Sequence, residues 1–206
     1  MIPTGSHGRS VIGIAVALTI GLSGLAHQRV QAATPTQVAR VESAATALKP
    51  AIRLAQAGTI MFPMEPTPRC DLSKTSFGQP RSGGRTHEGI DLMATLGQKI
   101  YAVGNGKLIR QAIDGNPDAT LSGNAWKLQL SDGSGTYYFY AHLSAFADGL
   151  KLGDSVVLGQ LLGFVGDTGD PGAGNYHLHF EVHPKGGAAV DPFPLLSIPK
   201  ACKIYT

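Results

Sequence analysis

Short apolar or alternating runs, separated by glycine-rich turns, fill the chain from about residue 59 to residue 196. Each run has four to seven residues, a length typical of β-strands and too short for ordinary helices. Of the 27 glycines in the sequence, 21 lie in this region and punctuate the runs. The predicted strands are residues 100–103, 107–113, 126–130, 136–140, 155–158, 161–165 and 177–182. Because no long amphipathic helical pattern lies between them, the pattern predicts a mainly β domain.

The sequence before residue 59 has a different pattern. Residues 34–58 are rich in alanine, and Pro50 interrupts them. Apolar side chains recur there at helical spacings of three and four residues, at Val38, Val41, Ala45 and Leu48. The pattern predicts that residues 33–58 form a short N-terminal helical segment or a linker, and it leaves open whether this is a pro-segment.

An uncharged stretch at residues 11–25 follows Arg9. It is short for a bilayer span, which needs about 20 apolar residues, and is typical of the apolar region of a secretory signal. The small-residue pattern at residues 30–32 offers a cleavage site. We therefore predict a signal peptide at residues 1–32, a secreted, periplasmic or cell-wall-associated protein, and no stable membrane insertion after cleavage. An uncleaved membrane anchor is the alternative.

Composition narrows the picture further. With 206 residues and 43% hydrophobic side chains, the chain is long enough for one domain with a real core. A net charge of +3 without any cluster of Lys and Arg argues against nucleic acid as a partner. Cys70 and Cys202 flank the β region, and export would permit a disulfide between them, with two free thiols as the alternative. The sequence gives no indication of the oligomeric state.

The segment around His87 places a carboxylate, Asp91, four residues after a histidine. A straight strand would separate their Cα atoms by about 13 Å, which is too far for both side chains to bind one ion. Gly89 lies between them and can supply a bend. The glycine also disfavours the helical H-E-x-x-H motif of common zinc proteases. Taken alone, the segment is a weak signal, and a surface turn with an aspartate at the start of a strand is the alternative.

A second candidate segment, residues 177–182, alternates polar and apolar side chains. This alternation predicts a strand with His177 and His179 on one face and the apolar side chains directed into the core. One of the two histidines can bind a metal while its neighbour stands beside a reacting water. The alternative is a pair of solvated histidines on a polar face.

Two further histidines are less informative by themselves. His142 follows an aromatic strand, where a lone histidine is more often a hydrogen-bonded structural residue. His183 precedes Pro184 at the end of a predicted strand, and we treat it as incidental.

Taken together, these residues have the composition of a catalytic metal site. Two histidines and one carboxylate are the usual number of ligands for catalytic zinc, because they leave a position for water. A structural zinc site normally has four ligands and often includes cysteine, whereas Cys70 and Cys202 lie at the ends of the domain. Two histidines remain for acid–base chemistry. The ligand types alone do not exclude copper or iron.

With these residues in this order, the chain resembles the lysostaphin-type (LytM-type) zinc endopeptidases. The resemblance extends over about residues 62–192 and consists of a long ordered series of motifs. These motifs lie at residues 77–78, 87–91, 100–106, 140–144, 152–156, 159–163, 166–169, 177–182 and 190–192. We therefore place a metallopeptidase domain at residues 59–198 and a C-terminal tail, outside the resemblance, at residues 199–206.

The resemblance implies that His87, Asp91 and His179 bind one zinc ion, and that His142 and His177 act in catalysis. It implies a twisted antiparallel sheet with a metal-containing groove, and peptidoglycan peptides as the substrate. Some family members have lost ligands and only activate other hydrolases. This chain keeps all five positions, so the expected function is hydrolysis, and a non-catalytic activator that retains a zinc site is the alternative.

The glycine-rich loops allow two interpretations. Most simply, they provide the turns of a compact β domain. They can also form the low walls of a groove suited to small or D-configured residues, in which case loops 114–124 and 166–176 would border it.

Overall fold

The computed structural model describes residues 60–206, and short strands dominate this part of the chain. The strands are β1 (Ile60–Met61), β2 (Asp71–Ser73), β3 (Ile90–Met93), β4 (Lys99–Tyr101), β5 (Gly106–Ala112), β6 (Asn124–Leu130), β7 (Tyr137–Phe146), β8 (Ser155–Val156), β9 (Leu161–Val165), β10 (His177–His183), β11 (Leu196–Ser197) and β12 (Lys203–Tyr205). Single 3-10 turns occur at Ser82–Gly84, Pro184–Gly186 and Phe193–Leu195. Within residues 60–206, no helix has the length and apolar character needed to cross a membrane.

Ten of the described strands form one sheet in the order β12-β2-β3-β10-β7-β6-β5-β8, with β9 pairing to both β7 and β4. The prediction of a mainly β fold is confirmed. One edge pair departs from the predicted antiparallel arrangement, because β12 runs parallel to β2 and the sheet is therefore mixed. A separate small pair, β1 and β11, is also parallel. The predicted N-terminal helical segment and the signal peptide lie outside the described residues.

Each of the seven predicted strands corresponds to a strand of the structure, and the ends differ by at most two residues except at β7, which continues six residues beyond its predicted end. The five that the sequence did not indicate, β1, β2, β3, β11 and β12, have only two to four residues each. Such short segments carry too few positions for a period-two pattern to be recognised, and neighbouring strands stabilise them instead.

The core lies on the face of the sheet opposite the histidines. Trp126, Tyr140 and Phe180 are fully buried there, and Tyr140 packs edge-on against Phe180 with ring centroids 5.2 Å apart. Leu178 and Phe180 alternate with the histidines of β10, as the sequence pattern predicts. Because burial of these apolar side chains fixes the register of β10, it also fixes which face the histidines occupy.

The last residues of the chain are part of the sheet. Strand β12 pairs with β2, and a disulfide joins Cys70, just before β2, to Cys202, just before β12. The segment predicted as a tail therefore contributes an edge strand. The bond links residues separated by 132 positions and ties the two ends of the β domain together.

Replacement of Cys202 by serine is expected to lower the free energy of unfolding by about 2–5 kcal/mol, because the unfolded chain gains the freedom of a long open loop. Urea denaturation measures this loss. The wild type under reducing conditions should unfold at the same urea concentration as the variant. Equal unfolding midpoints for the oxidised wild type and the variant would contradict the expectation.

Candidate active site and metal centre

Two of the candidate metal-binding side chains, Asp91 and His179, lie on the neighbouring strands β3 and β10, on the face of the sheet opposite the core. In the antiparallel registers, His179 of β10 stands opposite Asp91 of β3 on one side and opposite Ala141 of β7 on the other. Directly opposed side chains of antiparallel strands lie about 4.5–5.5 Å apart at Cβ, so the register alone brings Asp91 to His179. The small side chain of Ala141 leaves space above the sheet.

His87 reaches the same point because the chain bends at Gly89, just before β3 begins at Ile90. The bend follows the prediction, but the need for glycine there is steric. A Cβ atom at Gly89 would lie 2.5 Å from the carbonyl oxygen of Phe180 and 2.9 Å from the ring of His179. The chain therefore passes directly over β10, and His87 is carried onto His179.

Replacement of Gly89 by alanine is expected to destabilise the domain by about 1–3 kcal/mol, because the added methyl group overlaps the backbone of β10. The overlap should also push His87 away from His179. Thermal unfolding reports the first effect, and metal binding reports the second. A variant with wild-type stability and wild-type metal affinity would show that the two segments are not in close contact.

Three atoms from distant parts of the chain converge at one point. Nε2 of His87 lies 2.9 Å from Nδ1 of His179, and each of these nitrogens lies 3.0 Å from Oδ1 of Asp91. Ligands bound to one zinc ion at about 2.0–2.1 Å in a tetrahedron have comparable mutual separations. In the described part of the chain, this is the one cluster of His, Cys, Asp or Glu able to hold a metal ion.

The outer contacts of these side chains direct their lone pairs inward. Nδ1–H of His87 donates to the carbonyl oxygen of Ser76 at 2.8 Å, and Nε2–H of His179 donates to Oε1 of Glu181 at 2.8 Å. With these outer nitrogens protonated, the inner nitrogens face each other and the carboxylate as acceptors. A cation between them satisfies three acceptors at once, so the donor set fits a metal ion.

The electrostatics of the cluster favour positive charge. Burial alone would raise the pKa of Asp91, but its contacts with His179 and His87, which become hydrogen bonds when the inner nitrogens are protonated, hold this pKa well below its usual range. Burial alone would lower the pKa of His179, but hydrogen bonds with Asp91 and Glu181 raise it to about 9. Arg81 donates to the second oxygen of Asp91 at 2.5 Å and keeps the carboxylate in place. The centre thus attracts either a proton or a metal cation.

Strand β7 departs from regular alternation at His142. Up to that point Tyr138 and Tyr140 are buried in the core, and Phe139 and Ala141 line the groove. A regular strand would therefore turn His142 into the core. Its backbone instead has φ of 65°, which is uncommon for a residue other than glycine, and the pairing of β7 shifts register next to it. This irregularity places the imidazole in the groove.

His142 and His177 form a second pair of imidazoles beside the cluster, with ring centroids 4.7 Å apart. Nδ1–H of His142 donates to the carbonyl oxygen of Thr168, and Nδ1–H of His177 donates to that of Asn175, both at 2.8 Å. In both rings the free nitrogen is therefore Nε2. Nε2 of His177 lies 3.7 Å from Oδ1 of Asp91, at the edge of the cluster.

Both rings of this second pair are neutral at neutral pH. Burial, together with the nearby His177, lowers the pKa of His142 to about 4. Burial also lowers the pKa of His177, although the charge of Asp91 opposes it. A neutral imidazole with a free Nε2 can accept a proton, and the short distance between the rings disfavours two protons at once. The pair is therefore suited to transferring one proton at a time.

An open groove of about 660 Å³ contains both pairs of histidines. Its walls include Leu121 and Ser122 from the loop before β6, and Asp170, Pro171 and Asn175 from the loop before β10. These are the two loops that the sequence predicted at the border of a groove. A second wall comes from Arg81 and Arg85 around the turn Ser82–Gly84. The groove opens to solvent.

Several residues of the site were not predicted from the sequence. Glu181 continues the polar face of β10 and could have been found from the period of two. His183, treated as incidental, lies on the same face and contacts Glu181. Ser76 and Arg81 come from loops, and no pattern in the sequence indicates that they contact the cluster.

Residues 85–192, just over half of the chain, match the profile of Peptidase family M23. The chain belongs to Peptidase family M23. The L-Ala–D-Glu endopeptidase of Bacillus subtilis is 33% identical over 139 residues, which cover 62% of this chain and 40% of that protein. The glycyl-glycine endopeptidase ALE-1 of Staphylococcus capitis is 32% identical over 117 residues, covering 55% and 30% respectively. The M23 chain thus spans less than half the length of these relatives.

Solved structures agree with this assignment of the fold. A zinc-containing peptidase from Vibrio cholerae has a TM-score of 0.51 at 27% identity, over 64% of this chain and 38% of that one. Csd3 of Helicobacter pylori, in its orthorhombic crystal, has a TM-score of 0.51 at 26% identity, over 68% and 35%. These likenesses support the M23 fold for the described sheet.

Proposed function

We propose that this M23 protein is an exported zinc-dependent endopeptidase that hydrolyses peptide bonds in bacterial peptidoglycan. One observation carries the proposal. Two imidazole nitrogens and a carboxylate oxygen lie within 3.0 Å of one another, beside two further neutral histidines, on the floor of an open groove. This arrangement combines a three-ligand metal site with groups able to move a proton, which together are the requirements for metal-assisted peptide hydrolysis.

We assign one zinc ion per chain to His87, Asp91 and His179. The donor set of two imidazoles and one carboxylate is typical of catalytic zinc. A bound zinc ion would supply Lewis acidity, which polarises a peptide carbonyl and lowers the pKa of water to about 7. Arg81, Ser76 and Glu181 hold the three side chains from outside and so maintain the geometry.

His177 and His142 carry the proton transfers in this proposal. Nε2 of His177 faces the cluster and accepts the proton of the attacking water as a general base. His142 lies farther along the groove wall, where its ring can stabilise the tetrahedral oxyanion or protonate the leaving amine. Their hydrogen bonds to backbone carbonyl oxygens fix both rings before substrate binds. Glu181 is not available for this work, because His179 and His183 engage its two oxygens.

Membership of the family supports a class of substrate, but it does not identify the bond that is cut. The names of the two relatives refer to an L-Ala–D-Glu bond and to a glycyl-glycine bond. Both are peptide bonds with small residues on at least one side. We propose a peptidoglycan stem peptide or cross-bridge as substrate, bound in extended form along the groove between the loops before β6 and β10.

Digestion of purified sacculi tests the proposal. Sacculi with glycine cross-bridges and sacculi with direct diaminopimelate links are incubated with the protein, and the released fragments are identified by mass. We expect fragments from at least one type, their loss in the presence of a chelator, and their return when zinc is added. Activity that persists in chelator would refute the zinc mechanism. Zinc binding without fragments from any sacculus would favour the non-catalytic activator.

A further inference from the structure

The polar face of β10 extends beyond the metal-binding histidine. His179, Glu181 and His183 follow one another at every second position, and all three are largely buried. One oxygen of Glu181 accepts a hydrogen bond from Nε2 of His179 at 2.8 Å. The other oxygen accepts one from Nε2 of His183 at 2.7 Å. The carboxylate of Glu181 thus lies between the two imidazoles and contacts each through a different oxygen.

The ring of His183 is itself held on several sides. Its Nδ1 lies 2.9 Å from the carbonyl oxygen of Gly187, just after the turn Pro184–Gly186. The ring stacks on Tyr137, with centroids 4.3 Å apart and planes inclined by 14°. Lys127 places its ammonium 3.9 Å from the centre of the Tyr137 ring on the neighbouring strand. His183 therefore has a fixed plane and a fixed position.

We propose that His183 is a positioning residue of the metal centre and acts on His179 through Glu181. The terminal torsion of a glutamate is broad, so a carboxylate held by one contact alone can rotate away from its partner. The bond from His183 removes this freedom and keeps Oε1 directed at Nε2–H of His179. His179 is then held in the orientation that presents Nδ1 to the metal, so the end of β10 belongs to the metal site. The inference rests on the proposed zinc site.

Zinc affinity, measured by competition with a chromophoric chelator, tests the relay with variants of His183. His183→Phe keeps a ring to stack on Tyr137 but has no N–H group. His183→Gln retains an N–H donor near the position of Nε2, whereas His183→Asn places the amide too far from Glu181. We expect the Phe and Asn variants to bind zinc about 10-fold more weakly or worse, and the Gln variant to recover most of the affinity. Thermal unfolding of the metal-free proteins checks that each variant folds.

A double-mutant cycle separates action through Glu181 from a general effect on the end of the strand. If His183 acts only through Glu181, then Glu181→Ala combined with His183→Asn should bind zinc no more weakly than Glu181→Ala alone. Glu65→Ala removes a glutamate outside the groove and should leave zinc affinity unchanged. Wild-type affinity in both His183→Phe and His183→Asn, or losses that add in the double variant, would overturn the proposal.

The same measurements distinguish this inference from the proposed hydrolase. Zinc affinity is read without any substrate. A wild type that binds zinc and shows the expected cycle, yet releases no fragment from sacculi, would refute peptide hydrolysis and leave the relay intact. If the wild type hydrolyses sacculi but the His183 variants bind zinc as tightly as the wild type, the relay is refuted and the hydrolase is retained.

Discussion

Replacement of Asp91 by alanine is expected to remove the bound metal and the hydrolysis of peptides together. Oδ1 of Asp91 is the one negatively charged atom of the cluster and lies 3.0 Å from both ring nitrogens. Without it, two neutral imidazoles remain, which hold a divalent cation much less tightly. Loss of metal assistance forfeits several kcal/mol of transition-state stabilisation, or about a thousandfold or more in rate, at roughly 1.4 kcal/mol per tenfold.

The measurement combines metal content after desalting with the rate of fragment release from sacculi. Asp148→Ala is the matched control, because Asp148 is an exposed aspartate in the turn after β7 and lies outside the groove. This control should retain one zinc ion per chain and full activity. An Asp91→Ala protein that folds, lacks zinc and still cleaves at the wild-type rate would show that the cluster has no part in the reaction.

The main features of the fold follow from the sequence because the strands that build the groove have clear periodicity. Strand β10 is the best example, since Leu178 and Phe180 fill the core and leave His177 and His179 on the other face. The parallel edge pair of β2 and β12 was not predictable in the same way. Pairing between short segments at opposite ends of the domain depends on tertiary contacts, and the disulfide beside them contributes one of these.

The candidate site shows a second limit on what the sequence alone can predict. Spacing in the sequence could indicate that Asp91 needs a bend at Gly89 to approach His87, but the reason for glycine is its contact with β10. That contact becomes visible only when the strands are paired. Contacts made by loop residues, such as the guanidinium of Arg81 on Asp91, leave no pattern in the sequence at all.

His142 shows where a local signal existed but was ambiguous. The side chains of β7 in the main hydrophobic core advance from Tyr138 to Tyr140 by two residues and then to Leu143 by three, whereas the buried Ala141 belongs to a separate small cluster. A step of three within a strand indicates an inserted residue, and His142 lies inside this step. A regular strand would have buried it. The positive φ at His142 resolves the conflict in favour of the groove, which places a sparsely populated backbone conformation at a candidate functional residue.

Replacement of His142 or His177 by alanine is expected to lower kcat by about 10²–10⁴ while one zinc ion per chain is retained. Neither ring supplies an atom to the triangle formed by His87, Asp91 and His179, so metal content should not fall. The kcat of the double variant should be only slightly lower than that of the less active single variant, because the two rings serve the same proton-transfer sequence. Wild-type rates in both single variants would remove these histidines from the mechanism.

The two roles can be separated by the leaving group of the substrate. A peptide amine must be protonated as it departs, whereas an alcohol leaving from an ester needs much less help. If His142 protonates the leaving amine, His142→Ala should lose far less activity on an ester analogue than on the peptide, whereas His177→Ala should lose activity on both. An equal loss for His142→Ala on ester and peptide would assign its ring to the oxyanion instead. Because Nε2 of His177 lies 3.7 Å from Oδ1 of Asp91, at the edge of the cluster, we expect His177 to be the base in either case.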